Sequence, residues 1–155
     1  MKGAPAALIA AALALPAHAR EPLGLWGGWG AFRDDRPMRC YAIAQPANGG
    51  GGFASVASRP GQAGGQLHLR LSRPRSAQAA VTLSVGERRF TLTARGSDAW
   101  APDDRTDAAV IGAMRDARSM SVESVSASGR PFADVYTLSG APTAVDAAAV
   151  ACLKR

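Results

Sequence analysis

From Gln66 to Ser72 the chain reads QLHLRLS, with Leu67, Leu69 and Leu71 alternating against His68, Arg70 and Ser72. A period of two is the mark of a half-buried strand with one wet face. Val81, Leu83 and Val85 repeat the alternation, Gly86-Glu87 turns the chain, and Phe90, Leu92 and Ala94 line one face of a return strand. Together these predict a β-hairpin. Further strand-like runs lie at Trp29–Phe32, Met38–Gln45, Phe53–Arg59, Met120–Ala127 and Asp134–Ser139. Turn-forming residues bound them, among them Asp34-Asp35-Arg36-Pro37, the NGGGG loop within Ala47–Gly52, Pro60, and Ser128-Gly129-Arg130-Pro131. Glu21–Gly30, Gly-rich with two tryptophans, reads as a lead into the first strand.

The period changes twice. Ala109, Val110, Ala113, Met114 and Ala117 recur every three or four residues, which predicts a helix after Trp100. Asp103 suits its N-cap, with more acids in the first turn and Arg115 and Arg118 toward the end. Thr143 and Asp146 form an approximate capping box for a second helical segment, Ala144–Leu153. The expectation is a mainly β fold: about eight short strands in an antiparallel barrel or sandwich, with two short helices.

The N-terminus alters the picture by setting the compartment. Lys2, the unbroken apolar run Ala6–Leu15 and the small-x-small site Ala17-His18-Ala19 have the layout of a secretory signal peptide. Cleavage is expected after Ala19, leaving residues 20–155 as one domain in the periplasm or outside the cell. The apolar run is too short for a bilayer span, so no transmembrane anchor is expected. Export bears on the two cysteines, Cys40 and Cys152, because thiols pair in oxidising compartments. Two cysteines allow one intramolecular pairing, and the chain-entropy model assigns so long a loop roughly 4–5 kcal/mol.

The formal net charge is +6, nearly all of it arginine; the only lysines are Lys2 and Lys154. A basic exported chain can favour anionic surfaces such as headgroups or acidic glycans. Arg59, Arg70, Arg73, Arg75, Arg88 and Arg89 are the candidate anion-binding residues if they converge.

Candidate catalytic chemistry is thin. His68 is the sole histidine after the signal segment and the only base a Ser-His-acid triad could use, and no G-x-S-x-G elbow accompanies it. One histidine and a paired disulfide leave no zinc ligand set. Asp34-Asp35 and Asp103-Asp104-Asp107 lack calcium-loop spacing. Asp98, Glu123 and Asp134 fall on or near strands, without a pattern that pairs any two for glycoside hydrolysis. No cofactor, metal or nucleic-acid partner is expected, the aromatic interleaving of an RNA-binding sheet being missing.

Taken in order, WGAF, RCYA, ASRP, RRFTL, DAWAPDDRTDAAVIGAMRDARSMSVESVSASG, DVYTLSGAPTA and the late cysteine resemble the invasion-associated locus B family across nearly all of the mature chain. The resemblance implies an exported bacterial envelope protein with a mainly β fold, linked in some members to host-cell invasion. Two segments depart from the family pattern, the NGGGG loop and Ser72-Arg73-Pro74-Arg75, both in loops, where partners are usually engaged. The functional expectation is a protein without a catalytic site that binds an envelope component or a host or other anionic surface. The alternative is a periplasmic hydrolase built on a carboxylate pair or on His68.

Overall fold

The computed structural model describes residues 20–58, 60–62 and 64–153. The expected signal peptide and Arg59 lie outside the described residues. Ten strands form one antiparallel sheet: β1 (Arg20–Trp26), β2 (Trp29–Asp35), β3 (Met38–Ala44), β4 (Phe53–Ser58), β5 (Gln66–Arg70), β6 (Val81–Val85), β7 (Arg88–Arg95), β8 (Asp98–Trp100), β9 (Ser119–Val125) and β10 (Pro131–Thr137). Their order is β1-β2-β3-β4-β5-β8-β7-β6-β9-β10. Helix α1 (Asp104–Asp116) follows β8, and α2 (Ala141–Leu153) ends the described chain. The fold is mainly β, as the alternation predicts, with the sheet curled around its core and open between its first and last strands.

Two strands exceed the sequence expectation. β1 carries a register shift between Pro22 and Gly24, and this irregularity hides its alternation. β8 is only three residues long, too short for a period to show. α2 also begins before the predicted capping box. Gly140 turns the chain with φ +83°, and Pro142 falls in the first turn, where a missing N–H costs nothing. Thr143 is therefore inside the helix, not its cap.

The register explains the burial. Ala31, Ala42, Val56 and Leu67 form one row on the inner face, and Ala44, Ala54, Leu69 and Ala99 form the next; all are buried. The floor under β2–β4 is thus largely alanine. α2 answers it with Ala141, Ala144, Val145 and Ala148, and small side chains on both surfaces let helix and sheet approach closely. Cys40 of β3 and Cys152 of α2 form the disulfide, with Cα atoms 5.8 Å apart.

The sheet ends are drawn together by specific bonds. Trp29, fully buried in β2, donates its indole N–H to the Thr137 carbonyl of β10 at 2.8 Å. At the same corner the β1–β2 turn crosses the turn into α2 so tightly that a Cβ on Gly140 would overlap the Trp26 carbonyl. The free edge of β10 is covered by the NGGGG loop. Ala47 donates its N–H to Val135 at 2.6 Å, while the Asn48 amide donates to Ala133 and accepts from Val135 at 2.9 and 3.0 Å. Asn48 therefore stands in for a neighbouring strand and blunts an edge that would otherwise invite another chain.

α1 is fixed by its acids. The Asp103 side chain caps it, accepting from the Thr106 N–H at 2.7 Å, and this bond holds its carboxyl below the usual carboxylate range. Asp107 is buried and accepts the Leu67 N–H of β5 at 2.8 Å. Burial pushes the Asp107 carboxyl up, since the charged form is the one desolvation penalises. Folding therefore favours protonated Asp107. That stabilisation is complete below the unfolded pKa and is lost as pH rises through the raised folded value. Asp107→Asn keeps an acceptor for Leu67 and carries no charge. Its stability relative to the wild type is expected to grow between about pH 4 and pH 7, measured as the difference in urea midpoint.

Candidate functional site

In an antiparallel ladder, residues directly opposite one another share a face. The row Ser55–His68–Trp100–Thr93 therefore runs across β4, β5, β8 and β7 on the outer side of the sheet. Beside it lies Phe53–Arg70–Asp98–Arg95. Together these rows bring the histidine, an acid, two arginines and two aromatic rings onto one open face.

Asp98 is the hub. Its Oδ1 lies 2.8 Å from His68 Nε2 and 3.0 Å from Arg70 Nε. All three side chains keep contact with water, at 23% for Asp98, 32% for His68 and 48% for Arg70, so screening keeps these ion pairs weak. His68 is ordered by its neighbours. Its ring stacks on Trp100 at 5.3 Å between centroids and 7° between planes, and Phe53 meets it edge-on at 5.2 Å. Arg95, opposite Asp98 in the ladder, is exposed, and its side chain makes no hydrogen bond or ion pair among the described residues.

The six arginines singled out by composition do not share a site. Arg59 lies outside the described residues. Arg70 belongs to the Asp98 cluster. Arg75 turns back into the protein, donating to the carbonyls of Ser76, Ala77, Ala79 and Ala94 at 2.9–3.2 Å. Its guanidinium is a brace for the loop between β5 and β6, with little left for a ligand. Arg88 and Arg89 begin β7, seven and six residues before Arg95, a span of roughly 20–23 Å in a strand. Arg88 covers Phe90 and reaches the Ala109 carbonyl, and Arg89 pairs with Glu123 at 3.5 Å. Arg73 is exposed in the loop after β5.

The acids are also dispersed. Asp134 is buried on the inner face of β10 and accepts from the Ser72 N–H at 2.8 Å and from the Ser72 hydroxyl. Its charge, after burial itself, helps push the Tyr136 hydroxyl up. Glu123 faces out from β9, three strand spacings of about 4.8 Å from β8 and Asp98. No two of Asp98, Glu123 and Asp134 share a cleft. Asp34 and Asp35 face arginines, Asp34 with Arg20 and Arg39, Asp35 with Arg33, at 3.1–3.3 Å. Arg20 and Arg39 lie over Tyr41, whose hydroxyl is pushed up by burial and by the charge of Asp34. Among the described residues no cluster of three or more metal-ligating side chains occurs, and no helix is long and apolar enough to cross a membrane.

A shallow apolar depression lies between the helices, lined by Ile111, Met114, Pro142 and Val145. Arg115 closes one side, held bidentate by Asp146 at 3.1 and 2.5 Å. It offers no polar atoms for chemistry.

Phe53, Trp100 and Arg95 escaped the sequence reading. Asp98 and Trp100 are two residues apart, so alternation alone could have paired them on one face. Their meeting with His68 and Arg70 depends on β5 pairing with β8, which skips β6 and β7 and leaves no local signal. No family model, curated protein or solved structure matches this chain.

Proposed function

We propose that this chain is an exported envelope protein that acts by binding an anionic partner on the outer face of its sheet, without catalysis. The observation that carries this is the Arg70–Asp98–Arg95 row beside the Phe53–His68–Trp100 rings: ordered aromatic and cationic groups together on the outer face of the sheet. Binding surfaces favour such rigid aromatic and arginine anchors, whereas an active site needs an enclosed constellation of nucleophile, base and oxyanion donors. The signal-like N-terminus, the disulfide and the resemblance to the invasion-associated locus B family support an envelope location.

His68 and Asp98, 2.8 Å apart, favour a hydrolase as the second reading. Against it, Ser55 sits next to His68 in the ladder but no hydrogen bond joins them among the described residues, so the histidine has no nucleophile in hand.

The test is retention on a polyanion matrix such as heparin. The protein is expected to bind at about 50 mM salt and elute by about 500 mM, as screened surface electrostatics requires. Arg70→Gln with Arg95→Gln should lower the eluting salt. Flow-through at low salt, or an unchanged elution of the double variant, contradicts the proposal.

A further inference from the structure

We infer that the ledge formed by Trp100, Thr93, Asp98, Arg70 and Arg95 binds a carboxylate-bearing sugar of the uronic-acid type. This rests on the reading of the outer face as a binding surface and narrows it to one chemistry.

The ledge has a flat wall. His68 covers one side of the Trp100 indole, and is itself held by Asp98 and Phe53. On the other side the ladder neighbour is Thr93, exposed and too short to cover a ring. The C–H face of a pyranose fits such a wall, because its slightly positive hydrogens meet the negative face of the ring. The indole is already ordered, which reduces the entropy lost on binding.

The polar groups select the rest of the ligand. Both protein contacts of Asp98 go to Oδ1, leaving Oδ2 without a partner among the described residues and able to accept from sugar hydroxyls. Arg70 touches Asp98 through Nε, its terminal nitrogens make no hydrogen bond among the described residues, and the Arg95 side chain is uncommitted. Two guanidinium groups against one carboxylate leave an excess of positive charge at the ledge. A neutral sugar satisfies Asp98 and leaves the arginines to water. A uronate supplies hydroxyls to Asp98, a carboxylate to the arginine forks and a C–H face to Trp100. Inorganic phosphate or sulfate would engage the arginines alone, with nothing for the indole and repulsion from Asp98.

The experiment is calorimetric titration of the oxidised protein with trigalacturonate and with neutral galactotriose. The acidic sugar is expected to bind at least about tenfold more tightly, and Trp100→Ala and Arg95→Gln each to weaken it at least about tenfold. Arg88→Gln, at the far end of β7, should leave binding unchanged. Arg95→Gln changes an exposed side chain, so it reports on binding even where Trp100→Ala disturbs folding. Equal affinity for the two sugars, or trigalacturonate binding that is indifferent to Arg95→Gln, overturns the inference. Retention on heparin without trigalacturonate binding removes the sugar and keeps the anionic surface; loss of both removes the surface as well.

Discussion

Removing the Cys40–Cys152 bridge is expected to lower stability by about 2–5 kcal/mol, a large part of the total for a domain of this size. The cross-link joins residues 112 apart in sequence, so it restricts most of the unfolded chain. α2 has special need of it. The helix docks with alanines on an alanine floor, and each buried methyl contributes only about 0.8 kcal/mol. Reduction by dithiothreitol keeps the sulfur volume and isolates the effect of the link. Cys40→Ala with Cys152→Ala adds two small cavities, because both side chains are buried. The expected readout is a fall in urea midpoint of roughly 1–2 M on reduction and somewhat more in the double variant. Amide exchange in α2 should accelerate before that in β3–β5. A reduced protein with an unchanged midpoint would show that packing alone seats the helix.

Trp29→Ala is expected to cost about 3–5 kcal/mol. Trp29 has no exposed surface, and its indole nitrogen ties β2 to the end of β10. Truncation opens a cavity and leaves the Thr137 carbonyl without that donor. Trp29→Phe separates the two effects: most of the apolar volume remains and the hydrogen bond is lost, so a smaller loss of about 1–3 kcal/mol is expected. Equal losses for the two variants would mean that the bond to Thr137, and not the filled volume, holds this corner. Chemical denaturation followed by circular dichroism distinguishes the outcomes.

Alternation over residues 66–72 and 81–94 marked β5, β6 and β7 because each buries one face and wets the other. Asp103 announced the start of α1 because an N-cap is a local matter of one side chain and one backbone N–H. The count of two cysteines allows a single pairing within the chain, and Cys40 and Cys152 form it. These features were legible because their physics is confined to neighbours in the chain, or to a pairing with no alternatives.

The rest belongs to tertiary structure. Strand order decided that His68 meets Asp98 and Trp100. The curl of the sheet decided that Asn48, in a loop of apparently featureless glycines, covers the edge of β10. Arg75 and Arg95 look alike in sequence, yet one is spent on backbone carbonyls and the other stands in water beside Asp98. Composition reports how many guanidinium groups exist; only the register between strands determines which of them face a ligand, because that register is set by long-range pairing energies that no short window contains.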